Sequence, residues 1–92
     1  MKKQVTCILF GEVQGVFYRR FVKEAADKRR LVGSVRNCRD GTVEVIAEGE
    51  ETLLREFLRE LKETHPRARV KHSNEVWSNI TGTFSDFRML AS

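Results

Sequence analysis

Strands and helices alternate along this 92-residue chain in the order βαββαβ, with one further strand at the C-terminus. That pattern predicts a two-layer α/β (α+β) sandwich. Two apolar stripes of helical period carry the prediction. One runs through Phe17, Tyr18, Phe21, Val22, Ala25 and Ala26, the other through Leu53, Leu54, Phe57, Leu58 and Leu61. The third observation is the segment between them, two β-branched runs joined at Asp40-Gly41, a strong two-residue hairpin signal. Two helices separated by a hairpin can both pack on one face of an antiparallel-rich sheet, which is the ferredoxin-like arrangement.

Taken in order, Val5 to Phe10 reads as the first strand, dominated by β-branched and aromatic residues. Asp27, Lys28, Arg29 and Arg30 close the first helix with cations near its C-terminus, where they complement the dipole. Gly33 reads as a stop or turn residue just beyond, and Val32 to Asn37 as the second strand. Thr42 to Ala47 alternates cleanly, with Val43, Val45 and Ala47 on one face. Glu48, Glu50 and Glu51 place acid at the start of the second helix. Its outer face holds Arg55, Glu56, Arg59, Glu60 and Glu63, with Glu51 and Arg55 at a favourable i, i+4 spacing. Pro66 ends that helix and biases His65 to an extended conformation. Arg69 to Ser78 and Thr83 to Met89 read as two strands joined at Asn79 to Gly82. The last carries Phe84 and Phe87, whose different parity implies a bulge or a register slip. No repeat or linker interrupts the chain, so residues 1–92 read as one domain.

Apolar residues make up 40% of the chain and charged residues 33%, which fits a soluble globular protein and excludes a disordered one. No apolar run approaches the roughly 18 residues that span a bilayer. The basic Met1-Lys2-Lys3-Gln4 is followed by a strand, without a cleavage site, so it is not a signal peptide. With no export signal, Cys7 and Cys38 are expected to be reduced in the cytoplasm. Asn79-Ile80-Thr81 is then an incidental match to a glycosylation acceptor. The net charge of +4 favours anionic partners, whether phosphorylated small molecules, nucleic acid or acidic surfaces.

The stretch that could carry chemistry is Gly11 to Arg19, a short turn between the first strand and the first helix. Its glycines, Gly11 and Gly15, let the backbone curl so that successive N–H groups point into one bowl. The first N–H groups of a helix have no intrahelical partner, and the dipole adds positive potential there. Arg19 supplies a planar fork of donors that can grip a phosphoryl group. Many strand–turn–helix junctions nonetheless carry glycine for the turn alone. The G-x-x-x-G spacing is neither a Walker loop, which needs Lys-Ser/Thr after the second glycine, nor G-x-G-x-x-G.

The literal string decides between these readings. Val-Gln-Gly-Val-Phe-Tyr-Arg at 13–19, opened by Gly11, closely resembles a signature of acylphosphatases, which hydrolyse the mixed anhydride of a carboxylic acid and phosphate. Gly33 to Glu44 is similar to the family's other signature, G-x-V-x-N-x-x-D-G-x-V-E. Thr83 to Met89 matches the family's C-terminal strand more loosely. The resemblance implies the ferredoxin-like fold, a catalytic Arg19, a catalytic Asn37, and a phosphate-binding loop in which Gln14, Gly15, Val16, Phe17 and Tyr18 act through backbone N–H groups beside the Arg19 guanidinium. It also implies direct attack by water, with no metal, no cofactor and no phosphoenzyme. An acyl phosphate already has a good leaving group, so the remaining task is to hold the phosphoryl oxygens in fixed donors while water enters in line. An asparagine offers an acceptor and a donor, so it can orient that water without taking a charge. Two departures stand out: Ser34 replaces a usual aromatic near the asparagine, and His65 to Val70 is unusually basic.

Other chemistries fit poorly. A cysteine phosphatase needs arginine six positions after its cysteine, and Val13 and Glu44 stand there. No His/Cys/Asp/Glu group has metal-ligand spacing, and Asp40 is explained as a turn residue. Cys38 has no histidine nearby in sequence to activate it, and reads as a structural or passively exposed thiol. His65 and His72 read as loop and strand-surface residues. Arg20 points about 100° away from Arg19 on a helix, so it is expected to be solvated or to steer substrate. The rival readings are an anion- or nucleic-acid-binding module without turnover, and a domain of a larger carbamoyl-phosphate-handling maturation protein. Lys28, Arg29, Arg30, Arg36 and Arg39 could contact nucleic acid. An RNA-binding sheet needs exposed aromatics on its central strands, however, and Thr42 to Ala47 has none. Because the chain ends just after its last strand, a free-standing enzyme is expected. It would be a monomer acting on a small acyl phosphate, releasing inorganic phosphate, without membrane or nucleic-acid partners.

Overall fold

The computed structural model describes residues 1–63 and 65–91. Seven elements follow one another: β1 (Lys2–Glu12), α1 (Tyr18–Lys28), β2 (Val32–Asn37), β3 (Val43–Glu50), α2 (Glu51–Glu63), β4 (Arg69–Ser78) and β5 (Phe87–Met89). The strands form one mixed sheet in the order β4-β1-β3-β2-β5. Its first three pairings are antiparallel, and β5 runs parallel to β2. This is the ferredoxin-like sandwich with an added C-terminal strand.

Period-two alternation aims one face of each central strand at the helices. Val5, Cys7 and Leu9 of β1 lie opposite Ala47, Val45 and Val43 of β3, and Val35 of β2 lies opposite Val45. All seven are inaccessible to solvent. Above them pack Val22, Ala25 and Ala26 of α1 with Leu54, Phe57, Leu58 and Leu61 of α2. Each valine, leucine or phenylalanine among them contributes about 1.5–3 kcal/mol when withdrawn from water. Cys7 sits in this layer, and burial, reinforced by the Glu75 charge, pushes its thiol up to about 12.

Several expectations are corrected. Gly33 does not stop α1; it lies inside β2 with φ +146, and a Cβ there would meet the Ile46 carbonyl oxygen at 1.8 Å. The helix instead stops at Arg30, in a left-handed conformation (φ 56). There the Leu31 N–H donates to the Ala26 carbonyl and the Arg30 N–H to the Asp27 carbonyl, at 3.0 Å each, a Schellman motif without its usual glycine. The hairpin after β2 has three loop residues, not two. Gly41 N–H donates to the Cys38 carbonyl and Cys38 N–H to the Thr42 carbonyl, with Gly41 at φ +90. Asp40 accepts from both the N–H and the hydroxyl of Thr42, as a turn residue would.

Glu48 belongs to β3, not to the start of α2, and is 4% exposed. Its carboxylate accepts bonds from Gln4 Nε2 (2.6 Å), the Thr81 N–H and hydroxyl (2.8 Å each) and the Gly82 N–H (3.3 Å). It thereby fastens the segment that crosses from β4, on one edge, to β5 on the other. That segment runs from Asn79 to Asp86, so Phe84 lies outside β5 and its parity with Phe87 carries no register. Ser34 is buried on β2, beside a shallow cavity of about 280 Å³ that the Thr83–Asp86 segment passes over. Phe17 also leaves the expected stripe: it precedes α1 and is 82% exposed.

Candidate active site

Two junctions meet at one end of the sheet: the turn from β1 into α1, and the turn from β2 into β3. At the first, β1 shifts register against β4 between Phe10 and Gly11. Gly11 has φ +132, and a Cβ would stand 2.1 Å from the Arg69 carbonyl oxygen, so only glycine lets β1 bend here. Val13, with no exposed surface, anchors the loop in the core. Gly15 (φ +75) and Phe17 (φ 59) are both left-handed and curl the chain into α1. For a non-glycine residue such as Phe17 that conformation costs roughly 1–2 kcal/mol.

Among the described residues, no backbone N–H from Gly15 to Arg20 reaches a protein acceptor. Phe17 offers no side-chain cap, and the first turn of α1 contains no acid. A row of unpaired donors thus coincides with the positive pole of a helix, the physical definition of an anion site. The Tyr18 side chain faces the other way. It is 1% exposed, donates its hydroxyl to the Leu61 carbonyl at 2.5 Å, and packs against Phe21 and His65. Burial raises its phenol pKa well above the ordinary value. Only its N–H is left for a ligand.

Gln14 bridges the two junctions. Its Nε2 donates to the Cys38 carbonyl (2.9 Å) and the Thr42 carbonyl (2.8 Å), tying the loop to the hairpin that follows Asn37. Arg19 is fixed from a third direction: its Nη1 donates to the Leu90 carbonyl at 2.6 Å. The Leu90 N–H in turn donates to the Val35 carbonyl at 2.8 Å, on the strand that carries Asn37. Asn37 Oδ1 is buried and has no hydrogen-bond partner among the described residues. Leaving such an acceptor unmet costs about 1–3 kcal/mol.

These residues enclose a cleft of about 400 Å³, lined by Val13, Gly15, Phe17, Tyr18, Arg19, Arg20, Asn37 and Met89. Of the residues singled out in the sequence, Arg19, Asn37, Gly15, Phe17 and Tyr18 converge on it. Gln14 and Val16 do not line it; Gln14 supports it from behind and Val16 packs against the core. Arg20 reaches the rim but is largely exposed, with Nε 3.6 Å from Glu24. Met89 and the Leu90 carbonyl escaped the sequence reading. Cys38 is half-buried at the loop and His72 is exposed on β4 against Phe10. His65 Nδ1 accepts the N–H groups of Arg67 and Ala68, as a loop residue. Among the described residues, no three His, Cys, Asp or Glu side chains converge as a metal ion would require, and no helix is long and apolar enough to cross a membrane.

Fold and site together define a class: α/β sandwiches that present a strand–loop–helix junction to an anion at one end of the sheet. The chain belongs to the acylphosphatase family, whose sequence model matches residues 5–89. It is 42% identical over 83 residues to an acylphosphatase of Dehalococcoides mccartyi, covering 89% of this chain and 91% of that one. It superposes on the crystal structure of acylphosphatase from Bacillus subtilis with a TM-score of 0.91 at 38% identity, over 96% of this chain and 98% of that one. Full-length HypF, in a phosphate- and nucleotide-bound form, gives a TM-score of 0.90 at 29% identity. That match covers 99% of this chain and 12% of HypF.

Proposed function

We propose that this chain is an acylphosphatase whose cleft hydrolyses acyl phosphates, with Arg19 and Asn37 as its catalytic side chains. Water attacks phosphorus in line, the bond from phosphorus to the acyl oxygen breaks, and carboxylate and dihydrogen phosphate leave. In this reading the N–H groups from Gly15 to Arg19 and the Arg19 guanidinium hold the phosphoryl oxygens, and no metal or phosphoenzyme takes part. Fixed donors of this kind need no reorganisation as charge shifts in the transition state. Asn37 orients the attacking water; the soft terminal torsion of its amide lets the unpaired Oδ1 turn toward the cleft. The observation that carries the reading is the row of unpaired donors at the start of α1, with Arg19 and Asn37 lining the same cleft.

We further infer a cytoplasmic monomer acting as one domain over residues 1–92, a setting compatible with two free cysteines. A nucleic-acid role draws little support from the basic residues. Lys28 and Arg29 pair with Glu60, and Arg36 with Glu44. The test is hydrolysis of benzoyl phosphate in chelator by wild type, Arg19→Ala and Asn37→Ala. Turnover that survives chelation and is lost in both folded variants is expected. A folded wild type without turnover would leave a binding domain and refute the enzyme.

A further inference from the structure

At the end of the sheet opposite the cleft, a second cavity of about 450 Å³ opens between the turn from α1 into β2, the start of α2 and the segment that crosses from β4 to β5. It is of ligand-pocket size. Its wall is largely apolar, built from Leu31, Leu53, Ile80 and Phe84. Ile80 is 45% exposed and takes no part in the core. The charges around this wall do not balance. Both acids that line it are already committed, Glu48 to Gln4, Thr81 and Gly82, and Glu50 to the Met1 ammonium at 2.8 Å. Arg29 is committed to Glu60 at 2.7 Å and lies 3.8 Å from Glu56. Lys2 and Arg30 line the same cavity, and among the described residues neither side chain enters a hydrogen bond or an ion pair. Lys2 acts on Glu50 only through its field. Arg30 is moreover held left-handed (φ 56) at the end of α1, where glycine is the usual residue. Strain of that kind persists at ligand clamps.

We infer that this cavity is a second binding site, separate from the hydrolytic cleft, for an amphipathic carboxylate. An apolar chain lies against Leu53, Ile80 and Phe84, and its carboxylate pairs with Lys2 and Arg30. The backbone N–H groups of Leu31, Thr81 and Gly82 beside the cavity are taken by Ala26 and Glu48, so an anion is met there by side-chain cations. The planar fork of Arg30 matches the two oxygens of a carboxylate. Neither half of the ligand suffices alone. A small anion gains only a solvated ion pair, which is worth little, and a neutral chain leaves both cations unpaired. Burial of the chain supplies affinity in proportion to its apolar area, and the charge fixes its direction.

The test titrates the isotopically labelled chain with octanoate and follows backbone amide NMR shifts. Saturable shifts are expected at Arg30 to Val32, Gly49 and Ile80 to Phe84, and no saturation with acetate or 1-octanol over the same range. Arg30→Gly should weaken octanoate at least about tenfold. Its thermal stability should hold or rise, because glycine suits the left-handed position, so lost binding cannot be lost folding. Ile80→Ser should weaken octanoate about fivefold. The titration needs no turnover, so its result stands whether or not the chain is a hydrolase. Failure of octanoate to saturate, shifts only at Gly15 to Arg20, equal binding of 1-octanol, or an affinity untouched by both substitutions would overturn the inference.

Discussion

The two helices are built alike along their buried faces and differently at their N-termini. At α2 the positive pole is occupied by the chain itself. Glu51 stands in the first turn, its N–H donates to the Met1 carbonyl at 3.0 Å, and the Met1 ammonium pairs with Glu50 at 2.8 Å. At α1 the same positions are bare: no acid, no side-chain cap, and no acceptor among the described residues for the N–H groups from Gly15 to Arg20. A good N-cap contributes about 1 kcal/mol, and α1 forgoes it. Its stability comes from elsewhere, through the burial of Val22, Ala25 and Ala26 and the closed C-terminal motif at Arg30. The contrast teaches that an uncapped helix end in an otherwise well-satisfied fold marks the place where a ligand completes the structure.

The largest effect should come from removing Arg19, the guanidinium that lines the cleft beside the bare end. Arg19→Ala is expected to lower kcat for benzoyl phosphate about a thousandfold or more, while Arg20→Ala retains most of it. Equal losses would mean that the two guanidiniums share the phosphoryl group. Next, Phe17→Asp gives α1 the acid that α2 already has. A carboxylate there satisfies the helix but competes with the substrate, so inhibition by phosphate should weaken at least tenfold while thermal stability holds or rises. Unchanged phosphate inhibition would place the anion elsewhere.

Two predictions concern the far end of the sheet, where Glu48 and Glu51 serve the fold alone. Glu48 is pushed up by burial, but the bonds from Thr81, Gln4 and Gly82 outweigh that and hold its carboxyl below the ordinary value. A lowered folded pKa contributes stability above the unfolded value of about 4.3, and that contribution is lost as pH falls through the folded value. Glu48→Gln should therefore cost about 1–3 kcal/mol at neutral pH, and the gap to wild type should close below about pH 4. A gap independent of pH in denaturant titrations would show that the charge contributes nothing. The smallest effect is at Glu51. Glu51→Gln should lower thermal stability only slightly, since its carboxylate is solvated, and leave kcat and KM as they are.

Which parts were legible in the sequence follows from what encodes them. Val43, Val45 and Ala47 announce β3 because alternation is written in side chains, and both helical stripes are written the same way. Gly15, Arg19 and Asn37 were legible because their motifs fix residue types at fixed spacing, and the structure brings them to one cleft. Glu48 was misread because three nearby glutamates look alike until Thr81 arrives from 33 residues away. Gly33 was misread because a glycine needed for close approach looks the same in sequence as one needed for a turn. The grip of Leu90 on Arg19 was illegible altogether, since a backbone carbonyl has no residue signature.

The most direct test of the contrast between the helix ends is titration of isotopically labelled protein with inorganic phosphate, followed through backbone amide NMR shifts. Saturable shifts are expected, confined to the N–H groups of Gly15 to Arg20 and the Arg19 side chain, with none from Glu51 to Leu54. Shifts at both helix N-termini, or none at α1, would contradict it.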